Sequence, residues 1–110
     1  MEIVETTVNA GVCGFKTVII SKAEGNRYAT LEIKTDCPNL KPLESETITA
    51  DAYKECFTKS GKSGIYETVG KYCKHAACPV PVAVIKAIEA ACGLALPRDV
   101  KIEIKKQSQA

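Results

Sequence analysis

The first third of the chain alternates between apolar and polar positions. Val4, Thr6, Val8 and Ala10 alternate with Ile3, Glu5, Thr7 and Asn9, and this period of two predicts a half-buried strand over residues 2–10. Gly11 and Gly14 bracket Cys13 and mark a tight turn. Residues 15–22 carry a β-branched run, Thr17-Val18-Ile19-Ile20, which predicts a second strand. Gly25-Asn26 has hairpin chemistry. A third strand is expected at 27–35, with Ala29, Leu31 and Ile33 on one face and Tyr28, Thr30, Glu32 and Lys34 on the other.

The period then changes. Asp36-Cys37-Pro38 ends the alternation, and Pro38 fits the first position of a short helix, where its missing N–H costs nothing. Pro42 limits the regularity of that helix. Thr49 is the expected N-cap of a helix ending near Phe57, with Ala52, Tyr53, Cys56 and Phe57 on its apolar side. Residues 58–64 read as a loop. Ser63 caps an expected helix from Gly64 to about Lys74, with Ile65, Val69, Tyr72 and Cys73 on one face. The clearest helix is 79–92: Pro79 and Pro81 suit its first turn, Val84, Ile85, Ile88, Ala91 and Cys92 form an apolar stripe, and Gly93 stops it. Beyond Pro97, Val100, Ile102 and Ile104 alternate with Lys101, Glu103 and Lys105, predicting a last strand.

Strands followed by helices define an α+β class. The expected fold is an antiparallel three-stranded meander, two to three helices and a final strand, with the helices packed on one face of the sheet. A chain of 110 residues fits a single domain spanning 1–110. Hydrophobic residues make up 45% and charged residues 25%, enough to build a core without disulfides.

Formal net charge is +2, and the two signs interleave, as in Glu32-Ile33-Lys34 and Lys101-Ile102-Glu103. Nucleic-acid binders gather cations on one face, so this pattern argues against that role. No run of about 20 apolar residues is present, so no membrane-spanning segment is expected. The stretch Met1-Glu2-Ile3-Val4-Glu5 lacks the basic flank and apolar core of a signal peptide, which points to a cytoplasmic protein.

That placement shapes the chemistry of the six cysteines. In a reducing cytosol they are core thiols, metal ligands or redox groups rather than a disulfide framework. Cys56, Cys73 and Cys92 fall on expected apolar helix faces, where free cysteine packs as a small hydrophobe. Cys13, Cys37 and Cys78 instead stand at chain breaks, before Gly14, Pro38 and Pro79. Several thiolates can converge at such points more easily than along one regular face. Cys-Pro also closes a ferredoxin-type cluster motif. A helix N-terminus behind Cys37 or Cys78 would favour thiolate over thiol.

The separations between positions 13, 37 and 78 match no zinc finger. Cys73-x-His75-x-x-Cys78 is a compact group with ligand chemistry, and His75 is the sole histidine. The candidate metal residues are therefore Cys13, Cys37 and Cys78, with His75 or Cys73 as a fourth. Three thiolates and an imidazole suit zinc, and three thiolates with an open position suit an iron–sulfur cluster. Three small residues packing at turns without binding anything is the competing interpretation.

Other motifs fail. Ser60-Gly61-Lys62-Ser63 resembles the end of a P-loop, but the required earlier glycine is Cys56. No nucleophile elbow is present. The sequence leans away from an enzyme and leaves a protein partner and the oligomeric state open.

Three blocks, Cys13-Gly14-Phe15, Asp36-Cys37-Pro38 and His75-Ala76-Ala77-Cys78-Pro79-Val80-Pro81 through Leu94-Ala95-Leu96-Pro97, together resemble a family of short uncharacterised proteins of anaerobic bacteria and archaea. The resemblance implies an anaerobic cytosol and directs attention to Cys13, Cys37 and Cys78. Locally, Cys78-Pro79-Val80-Pro81 with the following helix is similar to the Cys-Pro-x-Pro motif of sulfur-carrier proteins of tRNA thiolation. That similarity implies a persulfide-carrying Cys78 at a helix start. In the carriers the motif directly follows an N-terminal strand, whereas here it comes late in the chain, after an expected helix. The alternatives to a metal module are thus a sulfur-relay or thiol-exchange protein acting through Cys78, and an interaction domain with structural cysteines.

Overall fold

β-branched and alternating segments pair in chain order in the computed structural model, which describes residues 2–108. Strands β1 (Glu2–Asn9), β2 (Lys16–Glu24), β3 (Tyr28–Thr35) and β4 (Ile48–Asp51) form one antiparallel sheet in the order β1-β2-β3-β4. Three α-helices follow, α1 (Ala52–Cys56), α2 (Gly64–Gly70) and α3 (Val80–Ala91), and a 3-10 turn spans Lys41–Ser45. The class is α+β, as the change of period from two to helical predicts.

The alternation decides which face is buried. Thr6 stands opposite Ile19 and Val8 opposite Thr17, while Ile19 pairs with Ile33 and Ser21 with Leu31. Ile19, Leu31 and Ile33 are buried, and Lys22, Glu24, Glu32 and Lys34 point the other way into solvent. α3 packs against β1 and β2 and brings Val84, Ala87, Ile88 and Ala91 into the core. α1 and α2 pack against α3, and the 3-10 turn sets Leu43 beneath β3.

Three buried hydroxyls sit on the core face of the sheet, and all are satisfied. The Ser21 hydroxyl faces the Ala87 carbonyl at 3.0 Å and the Val4 carbonyl at 3.3 Å, tying β2 to α3. The Thr17 and Thr35 hydroxyls pair at 2.7 Å. Hydrogen-bonded in this way, the hydroxyls do not carry the cost of burying an unpaired polar group.

Three sequence expectations shift. Thr49 does not cap a helix: it lies in β4 opposite Thr30. The cap is Asp51, whose carboxylate accepts from the Tyr53 N–H at 3.1 Å. Asp51 also holds Arg27 through a bidentate contact, at 3.0 and 2.9 Å, and that guanidinium keeps its carboxyl below the ordinary range. The helix begun at Ser63 is shorter than expected. Ser63 does cap it, accepting from Tyr66 N–H at 3.0 Å, but α2 stops at Gly70, so Cys73 lies in the connection to α3. Finally, the segment holding Val100, Ile102 and Ile104 is exposed and, among the described residues, joins no ladder; β4 supplies the fourth strand instead. α3 ends where expected, with Gly93 at φ +74°, a left-handed conformation that glycine adopts without strain.

Candidate thiol site

Cys37 follows the end of β3, and Cys73 and Cys78 lie in the connection from α2 to α3. Cys37 follows β3 by two residues. Its amide donates to the Thr35 hydroxyl at 3.1 Å, and its carbonyl accepts from Leu40 and Lys41, both at 3.1 Å. Thr35 is itself fixed, with its hydroxyl on Thr17 and its amide on the Glu44 carboxylate at 2.8 Å. That amide is the main reason Glu44 titrates below the usual carboxylate range. Cys37 is thus anchored through the sheet, and the short helix expected from Pro38 is a 3-10 helix that starts later, at Lys41.

Cys73 and Cys78 flank a short turn. The Cys73 amide donates to Gly70 at 3.0 Å and the Cys78 amide to the His75 carbonyl at 3.2 Å. Cys37, Cys73 and Cys78 are all half-buried and pack on the core. Burial pushes the Cys73 thiol up to about 12, with a hydrogen bond to Cys78, the charge of Cys78 and then the charge of Cys37 adding to the shift. Negative charge on Cys78 or Cys37 therefore opposes ionisation of Cys73. Cys73, His75 and Cys78 also line a shallow depression of about 220 Å³, with Tyr66, Gly70 and Pro81 completing its wall.

Cys13 stands apart. It occupies the exposed tip of the β1–β2 hairpin, where Gly11 and Gly14 take left-handed φ of 91° and 73°. Asp36 bonds back to Lys16 at 2.9 Å, so this hairpin springs from the sheet end that also releases Cys37. Its thiol does not join the other three. Among the described residues, no three His, Cys, Asp or Glu side chains are close enough to form a finished metal cage. Cys73 and Cys78 lie side by side and line one depression with His75, Cys37 is half-buried and contributes to the Cys73 shift, and Cys13 is exposed.

A second pair escapes the sequence. Cys56 ends α1 and Cys92 caps α3, and Cys92 is buried. Burial, then Glu89, Cys92 and Glu55, push the Cys56 thiol up to about 12. Burial also raises Cys92. The neighbouring depression, about 260 Å³, mixes Glu55 and Glu89 with Lys59 and Lys86 and selects no single charge. Ser60 and Ser63 line it, but Ser63 serves as the α2 cap, so the P-loop-like tetrapeptide is a structural loop.

A thiol whose folded pKa lies above its unfolded value contributes stability while it stays protonated, and loses it as pH rises through the folded value. Cys56 and Cys73 both titrate near 12. The metal-free protein is expected to keep its melting temperature from neutral pH to about pH 9 and to lose it progressively above, starting near the unfolded cysteine pKa. Melting followed by circular dichroism across that range checks this, and Cys73→Ser should flatten part of the alkaline slope.

The geometry defines a small α+β domain whose distinguishing feature is a cluster of half-buried thiols at one end of an antiparallel sheet. Comparison with family profiles gives the particular family: the chain belongs to DUF6951, a family of unknown function, which matches residues 4–104. Neither the curated proteins nor the solved structures contain a match to this chain. Among the described residues, no helix is long and apolar enough to cross a membrane.

Proposed function

We propose that this protein is a thiolate metal-binding module in which Cys37, Cys73 and Cys78 supply the sulfur ligands and His75 the fourth donor. The observation that carries this is the grouping of Cys73, His75 and Cys78 around one depression, with half-buried Cys37 contributing to the raised Cys73 thiol. Burial, then Cys78 and Cys37, hold Cys73 protonated. A divalent cation reverses both effects, because it replaces the protons and neutralises the thiolates. Soft thiolate donors select zinc, copper(I) or iron–sulfur centres. A histidine on the rim suits zinc, in tetrahedral coordination. An iron–sulfur cluster is larger and would draw in Cys13, whose glycine-bracketed hairpin rises from the same end of the sheet.

Protein purified without oxygen is expected to hold about one metal equivalent per chain. Metal analysis reads its identity, with zinc colourless and an iron–sulfur cluster absorbing in the visible. Cys73→Ser and Cys78→Ser should each lose the metal, while Cys13→Ser should keep zinc and lose a cluster. Metal-free wild-type protein that also fails to take up cobalt(II) would contradict the proposal.

Thiol exchange is the second reading, supported by the adjacency of Cys73 and Cys78. It assigns the attacking role to Cys78, since Cys73 is held protonated at neutral pH. It requires alkylation of Cys78 faster than that of free cysteine, and a slower rate removes it.

A further inference from the structure

We propose that the chain forms a two-fold dimer in which residues 99–106 of each copy add as a strand to the free edge of β1 in the other.

Three observations converge on this pairing. The segment carries a strand-like alternation of apolar and charged residues. Lys101 and Glu103 form an ion pair of 2.9 Å across two residues, as neighbours on one side of an alternating segment do. Val100, Ile102 and Ile104 hold the alternate positions and are 57%, 76% and 91% exposed. Three β-branched apolar side chains in a row, all in water, make an apolar strand face without a partner. Residues 95–108 are exposed throughout, and the molecule measures 54 Å along its axis against 28 and 23 Å across.

The acceptor is β1. It pairs only with β2, so its outer edge presents unpaired backbone groups over eight residues, and β4, at the other edge, offers four. Burial also fades toward β1. Ile19 and Ser21 on β2 are fully buried, whereas their partners Thr6 and Val4 are half-buried and Ile3 is 60% exposed. A strand laid along β1 with Val100, Ile102 and Ile104 on the core face extends the core past Val4 and Thr6. The same alternation puts Lys101, Glu103 and Lys105 on the face of Ile3, Glu5 and Thr7, whichever way the strands run.

Charge selects the pair as well. Residues 99–106 carry Lys101, Lys105 and Lys106 against Asp99 and Glu103, a net +1 (three minus two). β1 carries Glu2 and Glu5 with no cation, a net −2. Edge-strand addition draws its affinity from main-chain hydrogen bonds and its specificity from alternate side chains. Reciprocal exchange makes the interface self-complementary, which closes at two copies.

Light scattering coupled to size exclusion tests this on the full chain. The wild type is expected to be a dimer at micromolar concentration. Ile102→Lys with Ile104→Lys should weaken dimerisation by roughly 100-fold or more, since two charges would replace buried apolar groups. Both residues lie outside the core, so the variant folds, and α3 ellipticity confirms it. Glu5→Lys should weaken the dimer too, and Lys101→Glu with Lys105→Glu should restore it in that background. A wild type that stays monomeric at about 100 µM, whether its tail is free, folded back on its own β1 or reserved for another protein, overturns the proposal. So does a dimer that the tail substitutions leave intact.

Discussion

Replacing Leu31 with alanine is expected to remove about 2–5 kcal/mol of stability, the range for emptying a leucine site in a packed core. Leu31 is fully buried and lies in β3 between Ser21 of β2 and Ile48 of β4. Strands on both sides hold the backbone in place, so the walls collapse little into the space left behind, and the cavity cost adds to the lost transfer energy. Domains of this size hold only about 5–15 kcal/mol in total. The melting temperature should therefore fall by roughly 10–30 °C. Val12→Ala is the control: Val12 projects fully into solvent at the hairpin tip, and its loss should change stability by no more than about 0.5 kcal/mol. Equal effects at the two sites would mean that the sheet does not bury the face described.

The second large effect is metal-dependent. A ligand that binds only the folded chain stabilises it by about 2.7 kcal/mol at 100 times its Kd. Zinc in that excess should raise the melting temperature of the metal-free protein by roughly 10–20 °C. The shift should vanish in Cys73→Ser. It should also shrink as pH falls from about 8 to 6, because zinc must displace protons from its thiol ligands, and burial with the neighbouring Cys78 and Cys37 holds Cys73 protonated. A magnesium control should give no shift, since hard cations prefer oxygen ligands. An equal zinc response in wild type and Cys73→Ser would move the binding elsewhere.

Much of the fold is legible in the residues. Alternation places β1, β2 and β3 within two residues and assigns their faces, because a strand with one buried side has a strict period. α3 is equally readable from its prolines, its stripe and Gly93. β4 is not. Ile48-Thr49-Ala50-Asp51 is too short to display a period, and Thr49 has cap chemistry of its own. Its strand state comes from pairing with β3, a contact distant in sequence. The tail shows the reverse failure, since its pattern is strand-like but no edge within its own domain takes it up.

The thiol site is legible in part. Chain breaks single out Cys13, Cys37 and Cys78. Cys37 and Cys78 are half-buried and both act on Cys73, whereas Cys13 is exposed at a hairpin tip. Cys73 was expected on a helix face. Gly70 ends α2 three residues earlier, and the compact spacing Cys73-x-His75-x-x-Cys78 is the better signal. Neither periodicity nor spacing reveals Cys56 beside Cys92, which depends on how α1 leans on α3.

X-ray absorption at the zinc edge of the loaded protein tests the metal centre most directly. A first shell dominated by three sulfurs at about 2.3 Å, with one nitrogen near 2.0 Å that disappears in His75→Ala, is the predicted result. A shell of oxygen and nitrogen alone would show that the clustered thiols hold no metal.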